Sequence, residues 1–306
     1  MRIGILGQRG GWHVRALQQA FARRGITAPS FSITWLKARL SARPWLTAPA
    51  DQADADAGIR LRDLDGAALE SYDVLFVRAI PGGSLEQIIF RVDALHRLEN
   101  AGVRIVNSPA AIERTVDKYY TSTLLEDAGL PTPRTVVTER FADAMAAFHE
   151  LGGDVVVKPI FGSEGRGIVR VLDPDTAYRV FRALELGRYV YYLQEFVPHG
   201  CQDVRVFVVG QEVVAAMTRR GETWKTNVAQ GAKGEPLAID DELRAMALQA
   251  TRALGADYAG VDILPLSGGG YSVIEVNGIP GWRGLRAATG VDAADCLVEY
   301  VLGEAR

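Results

Sequence analysis

A chain of 306 residues has room for about two domains of roughly 150 residues each, and buries enough surface to fold without disulfide or metal support. Its 34 lysines and arginines against 37 aspartates and glutamates leave a net charge of −3, which excludes the basic footprint of a nucleic-acid binder or a polybasic membrane surface. Cys201 and Cys296 are too few for a disulfide framework, and the opening apolar run Ile3 to Leu6 is too short for a signal peptide or membrane span, so a cytoplasmic globular enzyme is expected.

Ile3 to Leu6 reads as a buried strand, turned by Gly7, Gly10 and Gly11 into a helix that carries Val14, Leu17 and Phe21 on one face and stops at Gly25. Ala48 to Ala57 holds Asp51, Asp54 and Asp56 without calcium-loop spacing and reads as a solvated loop. Val74 to Val77 is a second strand. Leu85, Ile88, Ile89, Val92 and Leu95 mark an amphipathic helix, closed near Gly102 before the strand Val103 to Val106. Strands alternating with helices predict a parallel, doubly wound α/β layer.

From about residue 110 the pattern changes. A helix through Lys118 to Leu125 ends at Gly129 and runs into the extended Leu130-Pro131-Thr132-Pro133. Val155 to Lys158 meets Gly167 to Leu172 across a glycine-rich loop, and Asp173-Pro174 supplies the cap and first residue of a helix. Further hairpins pair Val204 to Val209 with Val213 to Met217, and Val261 to Leu266 with Tyr271 to Val276. Antiparallel pairs mixed with helices predict an α+β half.

Familiar catalytic motifs are missing: there is no Walker lysine, Gly-x-Gly-x-x-Gly, Gly-x-Ser-x-Gly or His-Glu-x-x-His. Gly7 to Gly11 suits either a phosphate cradle or a plain turn. The strongest local signal is the last hairpin. With Gly268-Gly269 at its turn, Leu266 pairs with Tyr271 and Asp262 lies opposite Glu275, Asn277 sharing their face while Val261, Ile263, Ile274 and Val276 take the other. Two carboxylates roughly 5 Å apart repel, which points to a bound cation or a shared proton, or else to a solvent-washed pair. Asp, Glu and Asn offer only oxygen, a set suited to Mg²⁺. Replacing both acids by amides is expected to abolish metal dependence and leave the protein folded. A second signal is Lys158 ending a buried strand before Gly162, Gly165 and Gly167, whose amides can approach an anion. A third is Gln194-Glu195-Phe196-Val197, followed by Asp203 and Arg205 on one strand face. Only five of the 34 cations are lysines, which marks either places that need a compact ammonium or an arginine-biased composition.

In this order the motifs resemble the ATP-grasp carboxylate–amine ligases, most closely the RimK-type branch. The matching stretches run from Asp117-Lys118 through Val157-Lys158-Pro159, Gln194-Glu195-Phe196, Asp203-x-Arg205 and Trp224-Lys225-Thr226-Asn227 to Asp262 and Ile274-Glu275-Val276-Asn277. The resemblance implies an ATP-grasp fold with two antiparallel sheets around the nucleotide, behind an N-terminal domain at 1–110, with a lid subdomain at 111–192 and a metal-bearing subdomain at 193–306. It implies that Lys118 and Lys158 neutralise phosphates and that Glu195, Phe196 and Val197 line the adenine slot. Asp203 would accept from the ribose, and Lys225 and Asn227 would reach the triphosphate. Asp262, Glu275 and Asn277 would bind Mg²⁺ or Mn²⁺, while Arg205 and Arg219 stabilise the acyl phosphate and the oxyanion formed on amine attack. Gly162 to Gly167 would be a lid that excludes water.

Two stretches bear on the substrate. Peptide-modifying relatives carry arginine where Lys225 stands, and Gly278 to Leu285, with Trp282 and Arg283, looks more like the ligases that glutamylate tetrahydromethanopterin-type coenzymes. The expected activity is therefore ATP- and Mg²⁺-dependent amide formation between a small-molecule carboxylate and L-glutamate or a similar amino acid, with no nucleic-acid or membrane partner and a homo-oligomer left open. Ligation onto a protein tail or carrier protein, and a non-catalytic ATP-binding regulator, are the alternatives.

Overall fold

The computed structural model describes residues 1–38, 61–62, 68–162, 165–226 and 231–303; the aspartate-rich stretch Ala48 to Ala57 lies outside them. Four consecutive residues that are all buried need cover on both sheet faces, the condition of a parallel strand. Ile3–Leu6 (β1) meets it, followed by the helix Trp12–Ala22 (α1), whose chain reverses at Gly25 with φ 71°. Ser30–Phe31 (β2), the pair Lys37–Ala38 (β3) and Leu61–Arg62 (β4), Val74–Val77 (β5), the helix Leu85–Asn100 (α2) and Arg104–Val106 (β6) complete this part. The parallel sheet runs β2-β1-β5-β6. Residues 1–110 form one compact unit with the stretch from Ala294 onward, and Ala111–Ala293 form a second.

One helix departs from expectation. The apolar residues of the first turns of α2 point outward, Leu85 at 73% and Ile89 at 49% exposure, while Val92, Ala94, Leu95 and Leu98 are buried. The apolar stripe is longer than the sheet beneath it, since β6 spans only three residues.

The second unit begins with Pro109–Val116 (α3) and Lys118–Asp127 (α4), where the Asp117 side chain caps α4 by accepting from Tyr120 N. Thr135–Thr138 (β7), Phe141–Glu150 (α5), Val155–Lys158 (β8), Val169–Val171 (β9), Pro174–Leu186 (α6) and Tyr191–Glu195 (β10) build an antiparallel sheet in the order β7-β10-β8-β9. Its back packs on α5 and α6 through Val155, Val157, Leu193, Phe148 and Phe181. The second sheet, β13-β12-β11-β14-β15, comes from Gln202–Val209 (β11), Glu212–Arg220 (β12), Lys233–Pro236 (β13), Tyr258–Pro265 (β14) and Tyr271–Asn277 (β15), with Asp241–Ala253 (α7) between β13 and β14. Arg283–Thr289 (α8) and Ala293–Leu302 (α9) end the chain's helices. Val204, Val206, Val208, Val261, Ile263 and Val276 bury the back of this sheet against α7 and α4. With period two along each strand, the alternate residues take the opposite face. Each sheet is thus apolar behind and polar in front. Among the described residues no helix is long and apolar enough to cross a membrane.

Candidate active site

The front of the five-stranded sheet is a row of charges set by strand register. Across β11, β14 and β15, Arg205 pairs with Asp262 and Asp262 with Glu275, while two residues along β11 Asp203 pairs with Arg219 of β12. The neighbours are also ion pairs. Arg205 grips Asp262 with two nitrogens, Nη2 to Oδ2 at 2.9 Å and Nε to Oδ1. Arg219 donates to both Asp203 oxygens at 2.6 and 2.5 Å and reaches Asp262 Oδ1 at 3.0 Å. Thr226 Oγ1 completes Asp203 at 2.6 Å. Burial alone would raise the Asp262 carboxyl; the two guanidiniums hold it below the usual range. Burial opposes the Arg219 charge as well, and Asp262 with Asp203 keep it above its ordinary value. Gly260 makes the arrangement possible, because a Cβ there would lie 2.5 Å from Arg205 Nη1 and 2.9 Å from Pro280.

Glu275 stands apart. Its carboxylate makes no hydrogen bond or ion pair among the described residues, and burial together with the like charge of Asp262 pushes it above the ordinary glutamate value, with Lys118, Arg205 and Lys158 pulling it back. The hairpin differs from expectation in detail: Pro265, not Leu266, pairs with Tyr271, the loop through Gly269 and Gly270 takes positive φ, and a β-bulge falls where Asp262/Glu275 gives way to Ile263/Val273. Val273 therefore packs in the core with Val261, Ile263 and Val276, and Ile274 turns to the cleft beside Glu275. A bulge leaves one residue unpaired and re-aims its neighbours, which is the reason for the exchange.

The four-stranded sheet presents the opposite charge. Lys158, at the end of β8, donates to Gln194 Oε1 at 2.5 Å, and Lys118, first residue of α4, donates to Gly162 O at 2.7 Å. Burial lowers the Lys158 ammonium to about 8, with Glu275 raising and Lys118 further lowering it; burial likewise lowers Lys118. Both ammonium groups line one cleft with Asp262 and Glu275. Glu195 closes β10 and borders the cleft, its carboxylate accepting from the Arg134 backbone N (2.9 Å) and Nε (2.6 Å) at the strand end. Phe196 carries Arg170 3.4 Å from its ring centroid, and Val197 lines the cleft with an N–H that makes no hydrogen bond among the described residues. Lys225 Nζ donates to Ile168 O at 2.9 Å, tying the segment after β12 to the start of β9.

Lys118, Lys158, Glu195, Phe196, Val197, Asp203, Arg219, Lys225, Asp262 and Glu275 thus border one space. Arg205 sits beside Asp262 on the neighbouring strand. Asn277 turns its amide nitrogen to Gly260 O at 3.2 Å and to Asp262 Oδ2 at 3.5 Å. Asn227, Ser163 and Glu164 fall outside the described residues. Asp203 borders the cleft and positions Arg219, accepting from it and from Thr226. One expectation is corrected: Asp262 holds two buried guanidiniums, so replacing it is itself a structural change and does not leave the framework untouched. Among the described residues no three His, Cys, Asp or Glu side chains converge on a metal position. The donor chemistry nevertheless fits Mg²⁺: a carboxylate without a partner, strained against a second one, with an amide oxygen source beside it. The sequence named Gln194 and Thr226 only as members of longer stretches, with no role of their own, and passed over Gly260. Gln194 carried a signal, a polar residue inside an otherwise aromatic and aliphatic strand.

Two polar sheet faces, one bearing ammonium groups and the other carboxylates, define an ATP-grasp cleft. The solved ATP-grasp ligase PsnB, complexed with minimal precursor, Mg and ADP, shares the fold with a TM-score of 0.73 at 22% identity over 99% of this chain and 98% of that one. The chain belongs to the RimK-like ATP-grasp family, whose domain model matches residues 115–301. It is 40% identical over 241 residues to the tetrahydromethanopterin:alpha-L-glutamate ligase of Methanocaldococcus jannaschii, 76% of this chain and 80% of that protein. It is 33% identical over 209 residues to the alpha-aminoadipate–LysW ligase LysX of Sulfurisphaera tokodaii, 66% of this chain and 73% of that protein. The chain is accordingly an ATP-dependent carboxylate–amine ligase.

Proposed function

We propose that this ligase joins L-glutamate, or a closely similar amino acid, to the carboxylate of a small coenzyme-like molecule, with ATP activating that carboxylate as an acyl phosphate. The observation that carries the reading is the facing of Lys118 and Lys158 with the free carboxylate Glu275 across one cleft. Positive groups there suit the nucleotide phosphates. Glu275, Asp262 and Asn277 would hold Mg²⁺ or Mn²⁺, which when bound neutralises charge on the transferring phosphoryl group. Arg205 has its Nη1 outside the hydrogen bonds to Asp262, and we assign it to the acyl phosphate and the oxyanion; Arg219 orients the two acids. The Val197 amide would read the base edge, and Lys225 and Asn227 the triphosphate. In this reading 1–110 is the pre-ATP-grasp domain, 111–192 the lid subdomain and 193 onward the metal-bearing part, in a cytoplasmic protein.

The identity of 40% to a ligase named for a coenzyme acceptor supports a small molecule over the carrier protein named for the LysX relative. The test is ADP release and mass spectrometry with candidate acids, glutamate and ATP. Release that requires both acid and amine, with a product heavier by one glutamyl residue, is the expected result. Turnover only with a protein or peptide tail would overturn the acceptor class, and nucleotide binding without turnover on any acceptor would overturn the ligase reading.

A further inference from the structure

Gln194 lies on β10 between β7 and β8 and is 4% exposed. Alternation along β10 sends Tyr191 and Leu193 into the helical core and leaves Tyr192 and Gln194 on the cleft side. The two ends of its carboxamide are used differently. Lys158 Nζ donates to Oε1 at 2.5 Å, and because an ammonium only donates, this contact fixes which end of the amide is oxygen. Nε2 then donates to Thr135 Oγ1 at 3.0 Å and to Tyr192 OH at 3.4 Å. Tyr192 OH is in turn hydrogen-bonded to Ser122 Oγ at 2.8 Å. Ser122 stands one helical turn beyond Lys118 on α4, so the chain of bonds runs from one ammonium of the cleft to the helix that carries the other.

We propose that Gln194 is a positioning residue for nucleotide binding: its carboxamide, anchored by Thr135 and the Tyr192–Ser122 pair, aims the Lys158 ammonium into the cleft without adding charge of its own. The inference rests on the nucleotide-cleft reading above and deepens it. A carboxylate in the same place would bond as well but would cancel the positive charge that a phosphate must meet. An apolar side chain would leave the ammonium without its acceptor and free to swing. A neutral acceptor held rigidly from behind avoids both losses, and the two hydroxyl partners of Nε2 supply that rigidity.

A double-mutant cycle separates a residue that acts through Lys158 from one that only fills space. ATP with Mg²⁺ is titrated calorimetrically into the full chain and into Gln194→Met, Lys158→Met and the double variant. Loss of a hydrogen bond to a charged group predicts that Gln194→Met weakens binding about tenfold in the parent chain. In the Lys158→Met background the same change should leave affinity within twofold. An equal loss in both backgrounds would overturn the positioning role while leaving the cleft reading intact. If Lys158→Met itself leaves affinity unchanged, the cleft reading falls and this inference with it. Should Gln194→Met not fold, Gln194→Asn takes its place in the same cycle. It keeps a neutral carboxamide but draws the acceptor away from Lys158, and is expected to weaken binding only where Lys158 is present; equal weakening without Lys158 would refute the proposal.

Discussion

The two sheets of the second unit handle charge in opposite ways. On the five-stranded sheet, arginines are matched to carboxylates by cross-strand register: Arg205 with Asp262, Arg219 with Asp203 and Asp262. On the four-stranded sheet and the α4 end beside it, lysines are matched to neutral oxygens, Lys158 to a carboxamide and Lys118 to a main-chain carbonyl. The first pattern consumes charge to hold a framework. The second keeps charge available. The one exception on the framework side is Glu275, and it faces the lysines. Buried charge that is fully paired fixes geometry, whereas buried charge left with neutral partners waits for a ligand of the opposite sign.

The largest expected effect attacks the framework. Asp262→Asn strands the buried Arg205 guanidinium and takes one of two acids from Arg219, and losing one partner of such a pair costs about 3–5 kcal/mol, roughly 10 °C in the unfolding midpoint of a unit this size. Calorimetry that found a shift of only a degree or two would dissolve the contrast between the sheets. Next comes the available charge. Lys158→Ala should raise the KM for ATP about 10- to 100-fold, the worth of a hydrogen bond to a charged group, with the midpoint nearly unchanged; steady-state kinetics and a melting curve together make the check.

A smaller effect concerns the exception. Glu275→Gln should abolish metal–nucleotide binding yet stabilise the free protein, by up to about 1 kcal/mol, the size of an ordinary substitution. The sign follows from its raised carboxyl: the parent chain is fully favoured below the unfolded glutamate value of about 4.3 and loses stability as pH rises through the higher folded value, and the glutamine variant lacks that loss. Denaturant midpoints compared across acid pH would show it. The smallest effect is in pH alone. With burial lowering Lys158 to about 8, ATP affinity of the free enzyme should fall by up to about tenfold between pH 7 and pH 9, and a flat profile would mean the ammonium is not part of the phosphate site.

The site was readable where chemistry and alternation coincide. Lys158 at the end of an apolar strand, and Asp262 opposite Glu275, follow from period two and a glycine turn. That second reading succeeded through two compensating differences: the turn is one residue longer than expected, and the bulge at Ile274 restores the pairing. The partners of Arg205 and Arg219 were not legible, because the register between β11 and β14 joins residues 57 apart in sequence, and another bulge at Phe207/Val208 brings Arg219, not Thr218, opposite Asp203. Gly260 showed no signal, since its reason is the arginine that passes over it. In the N-terminal unit the parallel layer was plain from the apolar runs Ile3–Leu6 and Val74–Val77 alternating with helices. The exposure of Leu85 and Ile89 was not, because a helix pattern gives the apolar stripe but not the length of sheet available to cover it.

The extra residue at Ile274 also gives β15 one residue of slack. Without it Val273 and Glu275 would be consecutive and still lie opposite Ile263 and Asp262, so the ladder would close with the core and cleft faces unchanged. A length change of one residue at this point therefore alters what Ile274 itself presents to the cleft and leaves the acidic pair in register.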